Sequence, residues 1–149
     1  MKEILLCKYG ESVLKGGNRR YFEDTLVREM RYRAANFGNF QITNVQSTMT
    51  IEPLDDFADL DGMFDAARRL FGIAAVGRAA VAEKNMDSIL EIAKAYLPTF
   101  LEGKKTFKVE AKRSDKTFPL SSPEISAAVG GAILSVCPRL KVDVHRIHS

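Results

Sequence analysis

The sequence is poor in the residues that carry covalent and metal chemistry. It has two cysteines and two histidines in 149 residues. Cys7 and Cys137 each sit among apolar neighbours, which reads as small core side chains rather than a disulfide or a redox pair. His145 and His148 are spaced H-x-x-H, and a strand would point them to opposite faces. With no acidic or cysteine partner at ligand spacing, the pair makes no metal site. No nucleophile beside a base and no paired acid and base is evident. No apolar run approaches the length of a membrane span, and Met1-Lys2-Glu3 opens directly into an apolar stretch rather than a signal peptide. A cytoplasmic protein with no membrane association is expected.

Charge is present but modest: the formal net charge is +3 and the apolar share, 46%, is too high for disorder. Its distribution says more than its sum. Acids crowd Glu52 to Asp65, whereas cations crowd Lys8 to Arg20 and Lys104 to Lys116. If the fold brings the two basic stretches to one face, they form a surface for a polyanion.

Residues 2–9 have a continuous apolar centre, Ile4-Leu5-Leu6-Cys7, as a buried strand requires. A glycine-bearing loop with Gly10, Gly16 and Gly17 follows, and Asn18 is placed to cap a helix. That helix repeats Phe22, Leu26, Met30, Ala34 and Phe37 at helical spacing, pairs Glu29 with Arg33 on its wet side, and stops at Gly38. Phe40 to Val45 and Thr48 to Glu52 read as two strands with a turn near Asn44 to Ser47. A helix from Asp59 or Asp61 has the apolar face Leu60, Met63, Phe64, Ala67, Leu70 and Phe71. Arg68 and Arg69 fill its last turn before Gly72. Ile73 to Val81 completes strand, helix, strand, strand, helix, strand, the ferredoxin-like βαββαβ plan.

A second half starts near Ala82, giving domains 1–81 and 82–149. Residues 86–102 form a helix that Pro98 kinks or divides. Phe107, Val109 and Ala111 alternate with Lys108, Glu110 and Lys112 as a half-buried strand. Ser122-Pro123 starts another helix, which Cys137-Pro138 closes, and Leu140, Val142 and Val144 alternate in a last strand.

The segment Lys8 to Glu23 sets cations beside glycines on a strand-loop-helix frame, a grip for phosphate. Lys112-Arg113-Ser114-Asp115-Lys116 offers a second exposed loop of cations and hydroxyls suited to an RNA backbone. Tyr9, Tyr21 and Phe118 are open to two readings, base stacking or packing. Gly130-Gly131 lies inside an apolar helix with no strand before it, so it serves helix packing rather than phosphate binding.

Together these segments resemble the N-terminal part of the tRNA 4-thiouridine synthetase family, sulfurtransferases also tied to thiamine biosynthesis. The matching pieces are Lys8-Tyr9-Gly10-Glu11, Leu14-Lys15-Gly16-x-Asn18-Arg19-x-x-Phe22-Glu23, Thr106-Phe107-Lys108-Val109 and Lys112-Arg113-Ser114-Asp115-Lys116-x-Phe118-Pro119. Ser122-x-Glu124, Gly130-Gly131 and Lys141-Val142-Asp143 continue the match. The resemblance implies an α+β chain: a ferredoxin-like domain, then a THUMP domain truncated before its final hairpin. It also implies a module that grips the tRNA acceptor end.

By position, the resemblance gives Lys15, Asn18, Arg19, Lys112, Arg113 and Lys116 as RNA contacts, and the clustering of cations around Gly10, Gly16 and Gly17 adds Lys8 and Arg20. Where family members often carry a Lys, this chain has Gly17. The family's ATP-pyrophosphatase domain, with its S-G-G-x-D-S loop, and its occasional persulfide-bearing rhodanese domain have no counterpart in these residues. No cofactor is therefore expected here; ATP belongs to that other domain, as do uridine adenylation and sulfur transfer. The partners implied are tRNA, a catalytic domain or chain, and a sulfur donor protein. An unpaired sheet edge near residues 141–147 would further suit a homodimer. Two other functions fit a ferredoxin-like plan: an acyl-phosphate hydrolase using Asn18 and Arg19, and a module for a metabolite or a protein.

Overall fold

A computed structural model describes residues 1–143 of the chain. It divides into two compact units, Lys2–Ala80 and a second beginning at Val81. His145, His148 and most of the proposed 141–147 edge lie outside the described residues.

In the first unit, β1 (Lys2–Tyr9) leads through a short helix α1 (Glu11–Leu14) into α2 (Arg19–Ala34). The strands β2 (Phe40–Val45) and β3 (Thr48–Pro53), the helix α3 (Leu60–Arg68) and the strand β4 (Ile73–Val81) complete it. The sheet order is β2-β3-β1-β4, with β3 antiparallel to both β1 and β2, so the ferredoxin-like plan is realised. Period-2 alternation puts Leu5, Cys7 and Tyr9 of β1 and Met49 and Ile51 of β3 on one buried face. Val27, Met30 and Ala34 of α2 and Met63 and Ala67 of α3 close over it. Burial pushes the Cys7 thiol up to about 12, so it stays protonated and unreactive. Cys7 and Cys137 are both free and buried.

The buried stripe of α2 is not the one its apolar pattern predicts. It runs Glu23, Val27, Met30, Ala34, while Phe22 is exposed and Leu26 and Phe37 only flank the core. A carboxylate leads the stripe because hydrogen-bond partners meet it there. Asn18 also departs from expectation: its side chain makes no cap hydrogen bond, and only its carbonyl accepts, from the Phe22 N–H at 3.0 Å. Asp59, by contrast, caps α3 through the Gly62 N–H at 2.9 Å. Phe71, placed by periodicity on the core face of α3, stands in the turn beyond it and is 89% exposed.

In the second unit, α4 (Met86–Tyr96) gives way at Pro98 to a 3-10 helix over Leu97–Leu101. The strand β5 (Thr106–Phe107) pairs in parallel with β6 (Lys141–Val142), and between them runs α5 (Ser122–Val136). The helix α5 begins at Ser122, as Ser122-Pro123 suggests, and Ser121 and Glu124 form a capping box at its start. Gly130 is buried within α5 and faces Val109, as close packing requires. The strand expected over 107–111 is ladder-paired only at Thr106–Phe107 among the described residues. Asp143 N–H closes that pairing on the Phe107 carbonyl at 2.7 Å. Val142, expected on a buried face, is partly exposed. The core here is Ala93, Phe107, Val129, Ile133, Cys137 and Leu140. No helix among the described residues is long and apolar enough to cross a membrane.

Candidate nucleic-acid interface

Strand register fixes what gathers at each end of the ferredoxin-like sheet. Lys8 pairs with Thr48 and Val45 with Thr48, so the end of β1 lies beside the β2–β3 turn. Gly10 N–H donates to the Gly72 carbonyl at 2.8 Å, which brings the start of β4 to the same end. The N-terminus of α2 and the C-terminus of α3 must then lie there too. This end carries Lys8, Lys15, Arg19, Arg20, Arg68 and Arg69. The acids Glu52, Asp55, Asp56, Asp59 and Asp61 fall at the opposite end, where Lys2 pairs with Glu52 and Arg78 with Asp61. The charge segregation read in the sequence is therefore a separation in space.

At the cation end the backbone and the charges conflict. Helix α2 starts with Arg19-Arg20, has no acidic residue in its first turn and lacks a side-chain cap. Two cations at the positive end of a helix are each unfavourable by about 0.3–1 kcal/mol at an exposed site. An anion bound there relieves both the charges and the open N–H groups. Lys15 is 76% exposed and reaches only Glu11, at 3.6 Å, a pair worth little in water. Lys8 and Arg20 are exposed and have no ion-pair partner among the described residues.

Arg19 has an inward role. Its Nε donates to Glu23 Oε2 at 2.8 Å and one terminal nitrogen donates to Ser47 Oγ, leaving the other terminal nitrogen for solvent. Asn44 Nδ2 donates to Glu23 Oε1 at 2.9 Å and Ser47 Oγ to Oε2 at 3.2 Å. Burial would raise the Glu23 pKa, but these hydrogen bonds and the Arg19 charge outweigh it and hold the carboxyl below the usual range. The cluster clamps a two-residue turn in which Gln46 (φ 50) and Ser47 (φ 60) are both left-handed, the geometry that suits a hairpin.

The second basic loop is folded on itself. Arg113 Nη1 donates to the carbonyls of Phe118 and Leu120 at 3.1 and 3.0 Å. Asp115 accepts from the Thr117 hydroxyl (2.6 Å), from Lys84 (2.9 Å) and from the Thr117 N–H (3.0 Å), bonds that hold its carboxyl far below the usual range. Phe118 is buried as the anchor. What remains outward is Lys112, Ser114 and Lys116. The loop borders an open groove of about 350 Å³ that Ile89, Phe118 and Ile125 line together with Lys84, Lys112 and Arg113. Of the three aromatics open to two readings, Tyr9 and Phe118 are core residues and only Tyr21, 64% exposed, is free to stack. Arg69 and Phe71, which helical spacing assigned to the macrodipole and to the core, are both exposed at the cation end.

Comparison with known proteins agrees with this organisation. Residues 4–77 match the ThiI ferredoxin-like domain and residues 83–148 the THUMP domain. A probable tRNA sulfurtransferase of Acetivibrio thermocellus is 40% identical over 146 residues, which cover 97% of this chain and 37% of that protein. One from Caldanaerobacter subterraneus subsp. tengcongensis is 37% identical over 145 residues, with the same coverage. A 4-thiouridine synthetase solved in complex with RNA and with bound ATP superposes with a TM-score of 0.76 at 26% identity. That match covers 98% of this chain and 36% of the other. The protein PH1313 of Pyrococcus horikoshii superposes at 0.75 with 25% identity, over 98% of this chain and 48% of that one. The chain thus spans little more than a third of the length of the curated relatives it matches. With a ThiI ferredoxin-like domain followed by a THUMP domain, the chain belongs to the tRNA 4-thiouridine synthetase (tRNA sulfurtransferase) family and corresponds to its N-terminal region.

Proposed function

We propose that this chain is the tRNA-binding module of a tRNA 4-thiouridine sulfurtransferase, gripping the acceptor end of tRNA by phosphate and shape in the cytoplasm. The observation that carries the reading is the uncapped start of α2, where Arg19 and Arg20 crowd the positive end of a helix beside Lys15. That arrangement is stabilised by an anion and destabilised without one. The family relationship supports RNA as that anion: a relative of the same fold was solved with RNA bound. Lys8, Lys15, Asn18, Arg20, Lys112 and Lys116 are the outward contacts, and Arg19 and Arg113 join them with the nitrogens their clamps leave free. Such contacts read A-form shape and backbone rather than sequence. The ATP-dependent step and sulfur delivery fall to another domain or chain and to a sulfur donor protein.

The test is a titration of the 149-residue chain with folded tRNA at several salt concentrations. With at least about 4 phosphates neutralised, log Kd should change with log salt at a slope of magnitude about 3–4 or steeper. Different tRNAs should give similar slopes. A slope near zero, or no binding at modest salt, rejects the reading in favour of a metabolite or protein ligand.

Gly17 offers a gain-of-function check. It is exposed, and a Cβ built there meets nothing within 4 Å. Gly17→Lys should therefore fold normally, tighten tRNA binding several-fold at low salt and steepen the slope by about 1.

A further inference from the structure

Phe71 is the most exposed aromatic side chain at the cation end of the ferredoxin-like unit, 89% open to water. It is held there by a rigid turn. Arg69 N–H and Leu70 N–H donate to the carbonyls of Ala66 and Ala67, both at 3.2 Å, and Ile73 N–H donates to the Leu70 carbonyl at 3.1 Å. Leu70 is buried on one side of Phe71. On the other side Gly72 adopts φ +101, where a Cβ would lie 2.8 Å from Leu26. The Gly72 carbonyl is tied to Gly10, at the entrance to the Lys15 loop. The backbone on both sides is fixed, so the ring is presented outward at little further cost in chain entropy. Exposed Arg68 and Arg69 precede it.

We propose that Phe71 is a stacking platform for an unpaired nucleobase of the bound RNA, with Arg69 meeting the adjoining phosphate. This rests on the tRNA-binding reading above and adds a base-contacting element to a surface otherwise built from cations. A flat ring set among cations is the pairing single-stranded nucleic acid asks for: stacking accepts any base, and the cation holds the backbone. The same unit supplies a control. Phe57 is 93% exposed but lies in the loop after β3, at the acid-rich end, where an RNA backbone is repelled.

The chain has no tryptophan, so one placed at position 71 is a unique fluorophore. With folded tRNA as the probe, Phe71→Ala should weaken binding roughly 5- to 150-fold, the range for losing one stacked base. The salt slope should not change, since no charge is lost, whereas Arg69→Gln should lower it by about 1. Phe71→Trp should bind at least as tightly as wild type, with its indole emission quenched at saturation. Phe57→Ala and Phe57→Trp should behave as wild type with no quenching. Wild-type affinity in Phe71→Ala, full affinity in Phe71→Leu, or an unquenched indole in Phe71→Trp would overturn the assignment. The tRNA-binding reading stands in those cases if Lys15→Gln or Arg20→Gln still weakens binding. Absence of salt-dependent binding by the wild-type chain would remove both.

Discussion

Arg19→Met should destabilise the ferredoxin-like unit by about 1–3 kcal/mol at neutral pH, the penalty for stripping a charged partner from a largely buried carboxylate. Glu23 is 8% exposed and keeps only Asn44 and Ser47 as donors once the guanidinium is gone. In a domain of this size, each kcal/mol lowers the melting temperature by about 4–8 °C. The loss should be largest at neutral pH, and its sign with pH follows from the Glu23 carboxyl. The native environment depresses its pKa, so it stabilises the fold above its unfolded value, and that contribution is lost as pH falls through the folded value. Arg19→Met removes part of the depression, so wild type and variant should converge on acidification below the ordinary Glu range of about 4.3. Arg19→Lys keeps the charge but not the fork to Glu23 and Ser47, and should fall between them. Equal melting temperatures for wild type and Arg19→Met at pH 7 would show that the clamp contributes nothing.

The same clamp explains why the turn tolerates its conformation. Gln46 and Ser47 both have positive φ without being Gly, Asn or Asp, a strain on the order of 1 kcal/mol each. Ser47 is bonded to Arg19 and Glu23 through its hydroxyl, and Asn44 to Glu23 through its amide. Helix α2 therefore holds the hairpin tip from outside the hairpin. Arg19 was legible in the sequence as a cation in a basic loop. Its second attachment was not, because Ser47 lies 28 residues away and no periodicity links the two.

That contrast recurs along the chain. Elements whose signals are local were readable: the βαββαβ order, the start of α3 at Asp59, the break at Pro98 and the interior position of Gly130-Gly131. Each rests on hydrophobic period, a cap or a breaker. The failures all involve tertiary partners. The stripe of α2 shifted to Glu23 because Arg19, one turn away, and the distant Asn44 and Ser47 all donate to its buried carboxylate. Phe71 left the core because α3 ends one turn sooner than its apolar spacing. The alternation over 107–111 reads as a strand, yet pairing stops at Phe107, where the partner strand is only two residues long among those described. Of the candidate site, residue types and clustering were visible, but the division into outward cations and inward clamps was not. Arg113 looks no different from Lys112 in sequence; only its two carbonyl partners set it apart.

The division into outward and inward cations determines which substitutions measure RNA contact cleanly. Changes at Arg19 or Arg113 disturb the hairpin or the loop and so mix folding with binding. Lys15, Arg20, Lys112 and Lys116 are exposed, and the Glu11 partner of Lys15 is equally solvated. The paired variant Lys15→Gln/Arg20→Gln should melt like wild type, as should Lys112→Gln/Lys116→Gln. Each should lower the salt slope for tRNA by about 2, since each phosphate contact contributes about 0.9. At roughly 0.1 M salt the quadruple variant should bind on the order of 10²–10³-fold more weakly. If both basic stretches grip the same RNA, the two paired effects add in the logarithm, because counterion release is additive over contacts. A change in slope from one pair alone would restrict RNA contact to that unit and leave the other loop as ordinary solvated surface.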